Sequence, residues 1–431
     1  MFVLFFVLGL AFFFAVYFFI FPLFSKLPFV QKKTIGVVGA YTVDSLPTPI
    51  LSQISRGLTY VDDHGQAKPD VAQSWEILSD GRRYVFHLKH NITFSDGSKL
   101  TSKNILYSFS DVSVQRPDPY TIVFLLKDKY APFIITVSRP IFKDGFVGLG
   151  EYKVKKIDIN GSFIESLQLT AVKNSSKNLI YQFYPTVDAI KLAFAIGEVT
   201  QMSGLSDTML GKTDFKQFPS AVITKNVDYR NLVTLFYNTT DSTLSDKRIR
   251  DALGYGLPDT FSQGLRNSTP YPPTLWASSA DVSPVSQDFS HAKLLLAAAS
   301  GDAKNSTLNL SMKTLPEYQD VAKSIAKAWE NIGIKTKIEV VNSVPSSFQI
   351  FLGKFTLPRD PDQYSLWHSD QPNNISNYDK NKRIDKLLED GRTTTDIDER
   401  KKIYSDFQKY LLDDPPAAFL FFPYDYTVTR K

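Results

Sequence analysis

The residues able to do chemistry in this chain are few, and their spacing excludes more than it offers. Five histidines, His64, His87, His90, His291 and His368, show neither a His-Glu-x-x-His pair nor any other metal-ligand spacing. His87 and His90 fall in a strand and the turn after it, where structural roles are expected. Cysteine is absent, which removes disulfides, thiolate metal sites and cysteine nucleophiles together. No Gly-x-Ser-x-Gly elbow, phosphate loop or clustered acid pair occurs. Gly148-x-Gly150 lacks the third glycine and following helix of a dinucleotide fingerprint, so a turn entering a strand is expected there. What remains is FTLPRDPDQYSLWHSD, residues 355–370, in which Asp360-Pro361-Asp362 reads as an acidic turn with Tyr364 and Trp367 close behind. Trp276 lies in a second proline-rich segment, YPPTLWA. Carboxylates beside aromatic rings suit holding a ligand, because rings offer large contact area at small entropic cost. Neither an enzyme nor a bound cofactor is expected.

The elements that must position these residues are easier to read. From Pro69 to Phe109 the sequence is PDVAQSWEILSDGRRYVFHLKHNITFSDGSKLTSKNILYSF. Asp80-Gly81 and Asp96-Gly97 are turn dipeptides between β-branched and aromatic runs, which predicts a strand, a tight hairpin, a second strand and another turn. Thr101 or Ser102 then reads as an N-cap for a helix carrying Ile105, Leu106 and Phe109. Upstream, Ile35, Val37 and Val38 predict a buried strand and SQISRGLTYVD a helix. Asp118 to Leu126 alternates as a strand.

Further on, Leu308, Leu310 and Met312 alternate, whereas Val321, Ala322, Ile325, Ala328, Trp329 and Ile332 recur at helical spacing up to Gly333. Ile334, Thr336, Ile338 and Val340 alternate again, so a βαβ unit and a partly parallel sheet are predicted. Trp75 and Trp329 sit in regular elements and are expected in the core. Ile384, Leu387 and Leu388 mark a helix. Asp396 with Glu399 resembles a capping box for the next one, which Pro415-Pro416 ends before a buried strand, Ala418 to Phe422.

The Pro69–Phe109 stretch resembles the bacterial extracellular solute-binding proteins of family 5, the oligopeptide- and dipeptide-binding group served by ABC importers. Pro69, Ala72, Ser74, Trp75, Glu76, Asp80, Gly81, Tyr84, Phe86, Leu88, Phe94, Asp96, Gly97 and Thr101 carry the resemblance. It departs at Ser102 and Asn104, where the family more often has Ala and Asp. FYNTTDSTLSDKRIRDALGYGL, SHAKLLLAAAS and RIDKLLEDGRTTTDIDERKKIYSDFQKYLLDD are similar to later landmarks of that group, so the resemblance runs from about Lys33 to the end.

The resemblance implies an α/β periplasmic-binding-protein-like fold of type II, in the large three-lobe variant. Lobe I would hold residues 33–60, 141–235 and 412–431, lobe II residues 61–140 and lobe III residues 236–411. It implies hinges near 235–238 and 410–419, and closure over a peptide that is then presented to ABC transporter permease subunits. The family's acidic residue, which pairs with a ligand ammonium, falls nearest Asp360; Tyr364, Trp367 and Trp276 are further ligand-contact candidates on their aromatic chemistry alone. The same scaffold resembles binders of oligosaccharides, nickel complexes and opines, and a tethered receptor without an importer is the remaining alternative.

The chain has 431 residues, long enough for several lobes. Its formal net charge of +5 is small for that length, so no nucleic-acid partner is expected. A monomer is expected. Residues 1–25 contain no charged side chain and are rich in Phe, Leu and Val. About 20 apolar residues cross a bilayer as a helix, and no small-x-small cleavage site follows, so an N-terminal transmembrane helix is expected to anchor the protein with its bulk outside the cytoplasm. Lys26, Lys32 and Lys33 follow this run while no basic residue precedes it, contrary to the positive-inside rule for that orientation.

Overall fold

The computed structural model describes residues 31–79, 81–282, 285–300, 308–379 and 381–431. The anchor expected at residues 1–25 lies outside them. Among the described residues no helix is long and apolar enough to cross a membrane.

Lobe II is built on the predicted hairpin. Ala72–Leu78 pairs antiparallel with Arg83–Leu88, which pairs with Thr121–Leu126, and Val112–Asp118 closes the four-stranded sheet. Tyr84, Phe86, Phe94, Phe124 and Phe133 fill its core, with Trp75 packed at the margin. The helix expected after Thr101 does not form. A single 3-10 turn, Ser102–Asn104, is followed by extended chain in which Ile105 is buried, Tyr107 and Phe109 pack on the core, and Leu106 is 67% exposed. Period two, not 3.6, sorts these residues. Arg116 holds the chain extended by donating to the carbonyl oxygens of Ser102 at 2.9 Å and Ile105 at 2.7 Å.

Lobe I centres on Gln31–Val38, parallel to Lys177–Tyr184 on one side and Gln201–Leu205 on the other. Antiparallel strands Phe163–Ala171 and Tyr152–Asn160 extend it. The helix expected across Ser52 to Asp62 is split. Thr48–Ile54 is helical, but the β-forming Thr59–Val61 make a strand beyond Gly57. Gly148 and Gly150 lie against the end of that helix, where a Cβ on either would come within 2.3 Å of a main-chain oxygen, of Ile54 or of Gln53. Close backbone approach, not a phosphate, explains the pair.

Lobe III carries the predicted βαβ unit. Leu308–Thr314 and Ile334–Val340 are parallel neighbours, and Val321, Ala322, Ile325 and Trp329 of the helix Gln319–Glu330 are buried against them. Asp396 caps the helix Ile397–Asp413 by accepting from the Glu399 N–H at 2.9 Å.

The closing strand is longer than expected and runs from Ala417 to Arg430. Its first part pairs with Asn231–Tyr237 in lobe III, its last part with Ala221–Val227 and Gln201–Leu205 in lobe I. The lobes are thereby fused into one twelve-stranded sheet among the described residues. The chain crosses between them at the turn Asp228–Arg230 and at Pro423, and the Asp228 N–H donates to the Pro423 oxygen at 2.9 Å. Residues 231–235 and 417–422, expected in lobe I, pair with each other and with Ile350–Thr356 and Gly264–Arg266, segments expected in lobe III. The expected hinge stretches do not coincide with these crossings: Leu235 and Tyr237 are locked in a fully buried ladder, whereas Pro423 lacks the N–H that would continue one.

Candidate functional site

Between the lobes lies a cleft of about 690 Å³. One wall comes from Ser52 to Asp70, with Ser138 and Pro140. The other comes from the crossing turn at Tyr229 and Arg230, the segment Tyr271 to Leu275, and the loop Leu357 to Gln363.

That loop is held from behind at Leu357 and at each residue from Asp360 to Gln363. The Tyr271 hydroxyl donates to the Pro361 oxygen at 2.6 Å, and the buried Gln363 bridges the Pro270 oxygen and the Trp367 indole. The Leu357 N–H donates to the Arg230 oxygen at 2.7 Å, tying the loop to the crossing turn. Arg400 grips the Asp360 carboxylate with two nitrogens, at 2.6 and 3.1 Å, while Asp362 accepts from Arg392 Nε at 2.8 Å. Burial lifts the Asp362 pKa above the usual carboxylate range despite the attraction of Arg392. Rigid support of this kind keeps a binding wall in one geometry.

Two contacts close the cleft. The Trp276 N–H donates to the His64 oxygen at 2.9 Å and the His64 ring meets the Thr274 oxygen at 3.0 Å. The Ala131 N–H of lobe II donates to the Arg392 oxygen of lobe III at 2.8 Å. At the first contact Gly65 has φ of +78°, and a Cβ there would lie 2.4 Å from Leu275 Cδ1.

The charges inside the cleft are unevenly engaged. Arg56 Nε donates to Asp70 at 2.7 Å, and Asp62 caps the loop to Gln66 while meeting Lys68 at 3.6 Å. Arg230 and Arg359 make no ion pair with any described carboxylate. Partial removal from water, reinforced by the charge of Arg359 and opposed by Asp228, lowers the Arg230 pKa. Asp63 on the opposite wall is exposed and forms no hydrogen bond or ion pair with a described residue.

Of the four residues singled out from the sequence, the structure brings one to the cleft wall. Asp360 lines it, but with its carboxylate turned into the Arg400 pair. Trp367 is buried in the core of lobe III, stacked on Phe236. Tyr364 stacks on His368 at 4.1 Å and carries Arg392 over its ring, away from the lining residues. Trp276 borders the cleft through its main chain and packs its ring against Tyr404. Sequence reading missed Arg230, Arg359 and Asp63. Arg359 adjoins the acid that was singled out, and its charge was legible there.

A family model for bacterial extracellular solute-binding proteins, family 5, matches residues 66–377. The chain belongs to this family. It is 23% identical over 452 residues to the oligopeptide-binding protein AppA of Bacillus subtilis, covering 89% of this chain and 83% of that protein. To the dipeptide-binding protein of Escherichia coli it is 22% identical over 437 residues, covering 82% and 80%. The fold is similar to that of NikZ from Campylobacter jejuni in complex with Ni(L-His), with a TM-score of 0.73 and 21% identity over 93% of this chain and 94% of the other. The mixed α/β periplasmic-binding-protein-like fold of type II expected from the sequence agrees with this likeness.

Proposed function

We propose that this family member is the extracytoplasmic capture subunit of an ABC importer and that its ligand is a peptide bearing a free carboxylate. The observation that supports the carboxylate is the pair Arg230 and Arg359, two guanidiniums on one wall of the cleft that form no ion pair with a described carboxylate, Asp228 being the nearby opposing charge at Arg230. A ligand carboxylate meeting that wall relieves their mutual repulsion and makes charge-assisted hydrogen bonds. Asp63, exposed on the facing wall and without an ion pair among the described residues, suits the ligand ammonium. Asp360 acts from behind, as the fixed support of the loop that presents Arg359. AppA and the dipeptide-binding relative carry peptide binding in their names, which favours a peptide over a sugar.

Arg230 and Arg359 line the same cleft as Asp63, so a ligand touching both walls binds the closed form better than the open one. That difference alone shifts the equilibrium. The crossings at Asp228–Arg230 and Pro423 are the proposed bending points, and the closed form is what permease subunits receive. The anchor in residues 1–25 belongs to the same proposal, as the tether that keeps the protein beside its transporter.

A second reading is a metal chelate whose own carboxylates meet the two arginines, as the likeness to NikZ suggests. Calorimetric titration of the purified protein with short peptides, their C-terminal amides, Ni(L-His) complexes and oligosaccharides tests both. Peptide acids are expected to bind at least roughly tenfold tighter than their amides. Binding of sugars alone, or equal binding of acid and amide, rejects the carboxylate reading.

A further inference from the structure

A second cavity, of about 240 Å³, opens within lobe III and shares no lining residue with the cleft. Its floor is the start of the crossing strand at Ala417 to Phe419. Its walls come from the helix Lys247–Tyr255, the segment at Arg266 and Ser268, and the helix Phe289–Ser300.

Most charges around it are satisfied. Arg250 donates to Asp414 and to the Leu244 and Pro415 oxygens, and Lys247 meets Asp413 at 3.1 Å. Three groups are not. The fully buried Tyr237 hydroxyl lines the cavity and has no hydrogen-bond partner among the described residues. Such a group lowers stability unless something in the cavity bonds to it. Arg266 donates from Nη1 to the oxygens of Asn267, Phe419 and Leu420 at 2.7 to 2.9 Å, but no described carboxylate pairs with it. Burial pulls its pKa down to about 10, with Asp259 opposing. Asp251 accepts no hydrogen bond from a described residue, and burial lifts its pKa to about 6.

One open cation, one open carboxylate and one unbonded hydroxyl in a single small cavity define a complementary guest. We propose that this cavity is a second binding site, for a small zwitterion of the amino acid or dipeptide class. The ligand carboxylate pairs with Arg266, its ammonium with Asp251, and a polar atom between them with the Tyr237 hydroxyl. The volume is below the roughly 300–1,000 Å³ of drug-sized sites, which suits a molecule of that size. Leu257 and Leu295 offer an aliphatic side chain an apolar wall.

Equilibrium dialysis with radiolabelled alanine and dialanine tests this on the full chain and on an R230A/R359A variant whose cleft is disabled. The cleft-disabled protein is expected to retain binding of either probe. Adding D251N is expected to weaken that binding at least roughly tenfold, and Y237F by a few fold. Y237F breaks no hydrogen bond in the unliganded protein, so its melting temperature is expected to be unchanged or higher. This keeps loss of binding distinct from loss of folding. Failure of the cleft-disabled protein to bind either probe, or binding indifferent to D251N, overturns the proposal and leaves the cleft reading untouched.

Discussion

Arg400 and Asp360 meet as a two-pronged ion pair inside lobe III, Nη2 to Oδ1 at 2.6 Å and Nη1 to Oδ2 at 3.1 Å, with both side chains almost out of reach of water. The pair fixes the loop that forms one wall of the cleft. Each partner is also satisfied elsewhere: Arg400 Nε donates to the Gly391 oxygen, and Asp360 accepts from the Asp362 N–H.

Breaking one side of this pair leaves a buried charge alone. Arg400→Met is expected to lower stability by about 3–5 kcal/mol in urea unfolding, and the double variant with Asp360→Asn to regain part of it. A single-variant loss below about 1 kcal/mol would show that water reaches the site.

Arg359 raises the cost of Arg230 in the empty cleft and adds attraction once an anion arrives. Arg359→Gln is therefore expected to raise the melting temperature of the unliganded protein slightly and to reduce the further rise produced by saturating peptide. Thermal unfolding with and without peptide measures both. An unchanged ligand-induced rise would remove Arg359 from the binding wall.

Gly65 occupies the left-handed region where closure brings Leu275 against it. Gly65→Ala is expected to cost about 1–2 kcal/mol of stability through its backbone conformation. It is also expected to weaken ligand binding several-fold, since Leu275 must shift for the lobes to close. Calorimetry reads the second effect, and equal affinity would mean that closure tolerates the methyl group.

Asp251 gives a pH signature with a defined sign. Its folded pKa, about 6, lies above its ordinary value, so the folded protein holds a proton that the unfolded chain has released. Stability therefore falls as pH rises through roughly 4 to 6 and stays lower above that window. Lys247 and Arg250 oppose the shift, and Asp413 and Asp414 add to it. Asp251→Asn is expected to be more stable than the parent at neutral pH, with the difference shrinking towards about pH 4. A constant difference across the range would assign the effect to something other than titration.

Much of the fold was legible because local chemistry and tertiary packing agree there. The Asp96-Gly97 turn, the helix carrying Trp329 and the cap at Asp396 each satisfy propensity, period and packing at once. The stretch from Ile105 to Phe109 reads as helix or strand alike because Ile105 and Phe109 share a face at helical spacing and, with Tyr107, at period two, and only Arg116, distant in sequence, takes up the Ser102 and Ile105 oxygens that a helix would use. The extent of the closing strand was invisible for another reason: Pro423 reads as a strand end, yet Tyr424 to Arg430 continue it and the partners that extend it lie in another lobe. The site was the least legible. Asp360 reads as an available acid until Arg400, forty residues on, is seen to hold it, and Arg230 reads as an ordinary turn residue until the lobes are placed around it.

The strand shared by both lobes has a consequence for how the protein is made. Ala221–Val227 cannot find its antiparallel neighbour until Tyr424–Arg430 has been synthesised, and neither can Gln201–Leu205. Pairings so far apart form slowly. During translation lobe I therefore lacks a strand on one flank, and that edge stays open until the residues from Tyr424 onward emerge.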